Sequence, residues 1–202
     1  MDIAVRIEAV TDDRAAPAVD YRWDADTTIL CATVRADAPR AVGEGAPGLE
    51  PVMTGSIEVE GRDGSWLVLD VAAGNVRGVE VAVWPDVRHR ASLRPPADAE
   101  RARVVVPGRR AAAATAAGFG SESSGRGRPS MTSPADAVDS LEVNTAVAAE
   151  SDEAEQTIHF ILGPTRPAKR VRVARDLVLD VDERRRLAGL WLLNVPPCPS
   201  DS

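Results

Sequence analysis

The sequence predicts a mainly β protein: two small antiparallel β-meander repeats that pack against each other as a pseudo-dimer and are joined by a flexible linker. Three observations support this prediction. Apolar residues recur at every second position in several short segments, as they do in half-buried strands. Clusters of Gly, Pro, Asp and Asn separate these segments. The stretch at 66–85, WLVLDVAAGNVRGVEVAVWP, also recurs at 177–196 as LVLDVDERRRLAGLWLLNVP.

The two copies share the pattern of a β-hairpin. In each copy an apolar run leads into an Asp-Val pair, at Asp70 and Asp180, and a polar turn follows. A glycine, Gly78 or Gly189, then opens a second apolar run that ends at a proline. The sequence therefore predicts the same strand pair twice, once in each half of the chain.

The repeat also sets the predicted domain boundaries. We expect a first β-rich repeat at 1–107, a linker rich in Ala, Gly, Ser and Arg at 108–137, a second β-rich repeat at 138–197 and a short tail at 198–202. The composition of the linker offers too little apolar surface to form a core. Just before the second repeat, the Ser-Pro pair at 133–134 predicts a short helix at 136–140.

Each repeat is expected to contain about five strands. In the first repeat the pattern predicts a leading strand at 1–10, strands at 27–34, 56–60, 66–71 and 79–84, an edge strand at 101–107 and a long surface loop at 35–54. The second repeat follows the same order, and its residues 153–160 align with residues 24–31 so that Ile158 matches Ile29.

Composition narrows the range of functions. The chain has 202 residues, a formal charge of −7 and a pI near 4.9, which argue against binding to DNA or to an anionic membrane surface. No window approaches the ~18 apolar residues of a membrane span. The two cysteines are far apart and lack the spacing of a metal site. We therefore expect a cytoplasmic protein with no membrane segment, no cofactor and no bound metal.

Short motifs in the second copy suggest a family. An acidic patch before Thr-Ile, the run LVLDVDE and the segments LAGL and LLN resemble the bacterial domain-of-unknown-function family numbered 2283. The resemblance covers 150–196 well and 21–85 more loosely. It implies a compact β-rich unit and makes a toxin-like protein partner conceivable. The second copy departs from the family pattern, because Trp191 replaces the acid that the first copy keeps as Glu80.

Four residues are the candidate binding positions: Asp70, Asp180, Glu80 and Trp191. The two aspartates recur at the same point of each copy, although an aspartate that accepts backbone N–H bonds from the following turn explains them equally well. We therefore predict a non-catalytic protein-interaction module, with an antitoxin-like role as one form of it and a toxin-like protein or a second copy of this chain as its partner. The alternatives are a small metal-dependent hydrolase that uses Asp70 and Asp180, and a small-ligand-binding protein with its site between the repeats.

Overall fold

A computed structural model describes residues 2–10, 15–24, 26–35, 51–108 and 139–199. All but the first residue of the predicted linker, and most of the predicted loop at 35–54, lie outside these residues. The described chain forms fourteen strands: β1 (Arg6–Ala9), β2 (Val19–Asp24), β3 (Ile29–Val34), β4 (Gly55–Gly61), β5 (Trp66–Ala72), β6 (Asn75–Val83), β7 (Val87–His89), β8 (Glu100–Val105), β9 (Asp139–Thr145), β10 (Val147–Ser151), β11 (Thr157–Leu162), β12 (Ala168–Ala174), β13 (Leu177–Asp182) and β14 (Leu187–Leu193).

The prediction of a mainly β fold is confirmed, but the sheet is mixed rather than antiparallel throughout. The pairs β4–β9, β7–β10 and β8–β12 are parallel. No helix occurs in the described part of the chain, so none there is long and apolar enough to cross a membrane. The predicted helix at 136–140 is wrong for its last two residues, because Asp139 and Ser140 pair with β4 as the start of β9.

Both halves of the chain contain the same strand order. The first half runs β2-β3-β6-β5-β4 and the second runs β10-β11-β14-β13-β12, each with antiparallel neighbours. In each half only three strands form a meander, β4-β5-β6 in the first and β12-β13-β14 in the second. The preceding hairpin, β2-β3 or β10-β11, pairs with the last strand of that meander and not with its first. The predicted consecutive pairing therefore holds for part of each half.

The two halves exchange strands at their edges. β7, from the first half of the chain, pairs with β10 of the second, while β9 extends the edge of β4 in the first. β8 is not the predicted edge strand, since it lies between β6 and β12 and also pairs with β1. These exchanges connect the two halves through backbone hydrogen bonds as well as through their core.

The hairpins of the two copies differ in burial. In β5 the residues alternate between buried and less buried positions, whereas every residue of β13 and β14 is buried. The inner side chains of both halves, among them Leu67, Leu69, Leu179 and Leu190, belong to one core cluster. A second, smaller cluster lies on the outer side of β13 and β14, where Leu93 and Ala99 from the first half of the chain pack on Val178, Trp191 and Leu193. Within the described residues, the second hairpin is therefore covered on both faces and the first hairpin on one.

Candidate functional site

The four candidate residues occupy two equivalent pairs of positions. Asp70 and Asp180 each lie across their hairpin from the glycine of the repeat, and a register shift follows each aspartate. Glu80 and Trp191 each lie two residues after that glycine and face the valine that lies two residues before the aspartate. The two groups are not brought together, because β12, β8 and β6 separate β13 from β5 in the sheet.

In the second half the candidate residues form a buried hydrogen-bonded cluster. The carboxylate of Asp180 accepts the indole N–H of Trp191 at 3.1 Å and lies 2.9 Å from Nε2 of His159. The His159 and Trp191 rings stack with their centroids 3.8 Å apart. Trp191 is 5% exposed and Asp180 7%. This carboxylate is satisfied by neighbouring side chains, so its arrangement stabilises the fold.

Gly189 is required by this packing. A Cβ atom at this position would lie 2.5 Å from the carbonyl oxygen of Phe160 and 3.2 Å from Oδ2 of Asp180. The equivalent Gly78 faces only the end of the Asp70 side chain at 2.8 Å, with the nearest backbone oxygen, that of Ala32, 3.5 Å away. The shared Asp-Gly pair thus leaves space for a carboxylate across the hairpin.

The turn that follows β13 uses a different aspartate from the predicted one. Oδ1 of Asp182 accepts the backbone N–H of Arg186 at 2.9 Å, while its Oδ2 accepts Nε–H of the same arginine at 2.8 Å. Arg166 forms a further ion pair with Asp182. Burial acts to raise the pKa of Asp182, but the hydrogen bonds and charge of Arg186, with the charge of Arg166, outweigh it and hold that pKa below its usual range.

A segment at 91–99, which we call the strap, covers the outer face of the second hairpin. Leu93 is 9% exposed and packs with Val178, Trp191 and Leu193. Arg170 and Arg172 anchor the strap from β12: Arg170 donates to the Asp98 carboxylate at 2.9 Å, and Arg172 donates to the Pro96 carbonyl at 3.3 Å. We call this surface of β12, β13 and β14 the covered face.

The equivalent outer face of the first half has no such cover among the described residues. Trp66 is 43% exposed, and Val83, which lies opposite it on β6, is 46% exposed. Asp70 is exposed on the same strand as Trp66. We call this outward surface of β9, β4, β5, β6 and β3 the open face. Exposed tryptophan beside an apolar residue is typical of a binding surface.

Acidic side chains surround the apolar part of the open face. A single row of paired residues crosses six strands of the sheet: Glu142, Glu58, Val68, Glu80, Cys31 and Arg22. Asp70 and Glu60 lie in the neighbouring rows. Burial, reinforced by the Glu80 carboxylate 3.7 Å from Sγ, raises the pKa of the Cys31 thiol. The carboxylates of Glu142, Glu58 and Glu80 therefore give this row of the open face a negative charge, and Arg22 of β2 lies beyond its edge.

A cleft between the two halves is a second place where function could lie. It has a volume of about 190 Å³ and is lined by Trp23, Trp84, Val87, Ser151, Glu155, Ile158, Pro196, Pro197 and Cys198. The two indoles stack with centroids 5.8 Å apart. Trp23 also donates its N–H to the Pro196 carbonyl at 2.9 Å. Its walls are therefore mainly apolar.

The fold brings a serine close to one of the two histidines. Ser151 Oγ lies 2.9 Å from Nδ1 of His89, whose Nε2 lies 3.8 Å from a carboxylate oxygen of Glu155. A Ser-His-carboxylate order is typical of nucleophilic catalysis. Here Ser151 is 1% exposed, while the His89 and Glu155 side chains are more than half exposed. The contact joins β7 to β10, and no signal in the sequence connects the two strands.

The described residues contain no cluster of three or more His, Cys, Asp or Glu side chains that could hold a metal ion. Comparison of the chain with protein-family models gives no match, and a comparison with curated proteins finds no relative. The resemblance to the family numbered 2283 thus stays a prediction from short motifs.

Proposed function

We propose that this protein is a non-catalytic protein-interaction module and that the open face binds its partner. The observation that carries the proposal is the exposure of Trp66 and Val83 on a face whose structural equivalent is covered by the strap. A partner that buried these two side chains would remove apolar surface from water, as the strap does on the second half.

Three further predictions from the sequence are part of this proposal: the pseudo-dimer, the cytoplasmic location and the toxin-like partner. The two halves are copies of one antiparallel β-unit packed as a pseudo-dimer, and one copy has kept its outer face available. The module works in the cytoplasm, where thiols such as those of Cys31 and Cys198, which are free, stay reduced. A toxin-like partner, as the family resemblance implies, is one form that the interaction takes.

Affinity capture from the native host tests the proposal. The bait proteins are the wild type, the double variant W66S/V83S and the control V52S, since Val52 is 40% exposed but lies before β4 at a bridge to Pro107. We expect one partner that the wild type and V52S retain equally and that W66S/V83S loses by about tenfold or more. A partner that all three baits retain equally, or no retained partner, contradicts the proposal.

The cleft supports a second candidate function, the binding of a small apolar ligand between the two halves. Its tryptophan and proline walls favour apolar surface, and Ser151 and Glu155 supply polar groups at the margin. A thermal-shift screen of apolar compounds tests this candidate. Compounds that raise the melting temperature of the wild type but not of W23A support it, and a screen without hits contradicts it.

A further inference from the structure

We infer that the open face recognises a short polypeptide segment that carries an apolar side chain followed by arginine or lysine, in the way that the strap occupies the covered face. This inference rests on the proposed function and specifies the chemistry of the partner. It uses the protein's own structure as the template, because β4, β5 and β6 of the open face correspond to β12, β13 and β14 of the covered face.

The strand pairing defines which residues correspond. Val68 pairs with Glu58 and Val178 with Arg172, so Glu58 occupies the position of Arg172. Asp70 pairs with Ser56 and Asp180 with Arg170, so Ser56 occupies the position of Arg170. The two arginines that hold the strap are thus replaced on the open face by a serine and a glutamate.

The strap shows what such a face binds. Its apolar anchor, Leu93, packs on Val178. Its acid, Asp98, lies five positions after Leu93 and accepts a hydrogen bond from Arg170. Arg170 in turn holds the pKa of Asp98 below its usual range through that hydrogen bond. Apolar packing of Leu93 and charge-assisted hydrogen bonds from Arg170 and Arg172 therefore seat a segment that has no strand pairing of its own.

The open face offers the same apolar contact with the opposite charge. Val68 stands where Val178 stands, and Trp66 and Val83 extend the apolar surface beside it. Glu58 has replaced an arginine, and Glu142 pairs with Glu58 on the added strand β9. Glu58 stands where Arg172 binds the Pro96 carbonyl, and Ser56, which stands where Arg170 binds Asp98, pairs with the exposed Asp70. A segment that fits this surface carries a positive charge at the end that corresponds to Pro96 and Asp98, because unlike charges are favoured across an interface.

A second copy of this protein is a poor occupant on the same grounds. Stacking two open faces would bring Glu58, Glu80 and Glu142 of one copy close to the acids of the other, and like charges brought together at an interface oppose association. A nucleic acid is disfavoured for the same reason. The charge of the face therefore selects a basic polypeptide.

Selection from a phage-displayed library of random linear peptides tests the inference. Immobilised wild type is the target, with W66S/V83S and V52S as comparison proteins. We expect enriched peptides with net positive charge and an apolar residue within about six positions of an arginine or lysine, with about tenfold fewer phage bound to W66S/V83S than to V52S. The substitution Glu58→Arg is expected to reduce binding of the same phage.

Three results would overturn the inference. The enriched peptides could be neutral or acidic, they could bind W66S/V83S as well as V52S, or the library could give no enrichment. These outcomes are distinguishable from failure of the proposed function. If affinity capture yields a partner that depends on Trp66 and Val83 while the library yields no basic peptide, the open face is an interaction site but its partner is not a basic segment.

Discussion

At the scale of single residues, the Asp-Gly pair of the repeat has become a buried structural group in one copy and a surface feature in the other. The carboxylate of Asp180 is held by His159 and Trp191, whereas Asp70 is exposed. The difference comes from two positions, since Trp191 and His159 stand where the first copy has Glu80 and Cys31. A duplicated motif can therefore keep its geometry while its burial and its role diverge.

Substitution of the two repeat glycines tests this difference directly. We expect Gly189→Ala to lower the free energy of unfolding by about 2–3 kcal/mol, because the new methyl group meets the Phe160 carbonyl oxygen at 2.5 Å. Gly78→Ala is the matched control, since the exposed end of Asp70 can move away, and should cost less than about 1 kcal/mol. Urea denaturation measures both, and equal losses would contradict the assignment.

The buried Asp182 predicts a specific acid sensitivity. Its pKa is lower in the folded protein than its ordinary value of 3.8, so its stabilising contribution is complete above that value and is lost as the pH falls through the lower folded pKa. We expect Asp182→Asn to lower the free energy of unfolding at pH 7 by about 3 kcal/mol, because Arg166 and Arg186 lose their buried carboxylate partner and retain the more exposed Asp2. Stability of the variant should then fall less steeply below pH 4 than that of the wild type.

The exposed neighbour Glu183 provides the control for this experiment. Glu183→Gln should leave the free energy of unfolding at pH 7 within about 0.5 kcal/mol of the wild-type value. Parallel pH profiles of D182N and the wild type would show that Asp182 does not carry the acid sensitivity.

At the scale of elements, the strands were largely predictable and the strap was not. Alternating residues such as those of Leu67–Val71 place one face inward, and the continuous apolar run of β14 fits burial on both faces. The strap, ASLRPPADA, contains a single leucine and two prolines, which is typical of a loop. Its covering role is not visible in the sequence, because the surface that it covers lies more than seventy residues later in the chain. No local pattern could show that one hairpin face is covered and the other open.

Register also limited what the sequence could show about the site. The alignment of Ile158 with Ile29 equates His159 with Leu30, whereas the ladder equates it with Cys31, since His159 faces Trp191 and Cys31 faces Glu80. A shift of one residue moves a strand's side chains to the other face of the sheet. The four candidate positions could therefore be named from the repeat, but the contact of His159 with Asp180 could not.

The contribution of the strap can be measured by truncating its anchor. Leu93→Ala should lower the free energy of unfolding by about 2–3 kcal/mol, because it removes a buried contact with Val178 and Trp191. Val83→Ala on the open face should cost less than about 0.5 kcal/mol. Urea denaturation followed by tryptophan fluorescence reports both values, and a neutral L93A variant would show that the strap does not stabilise the covered face.

At the scale of the whole molecule, the two halves form one unit, and the described residues leave the outer face of the first half uncovered. The hydroxyl of Tyr21 donates to the Leu193 carbonyl at 2.8 Å, Trp23 donates to Pro196, and the inner side chains share one core cluster. The same chain covers the second half with its strap and its β7. Repetition thus supplies two similar scaffolds, and the proposed function uses the outer face of the first.

The most direct test of this account is a comparison of two peptides on two proteins. The peptides are residues 90–99 and the same segment with Asp98→Arg, and the proteins are the wild type and S56R/E58R, whose open face then carries the two arginines of the covered face. Fluorescence anisotropy of the labelled peptides gives the four dissociation constants. We predict that the wild type binds the arginine peptide about fivefold or more tightly and that S56R/E58R reverses this preference. The same preference in both proteins, or a wild type that prefers the native segment, would contradict the account.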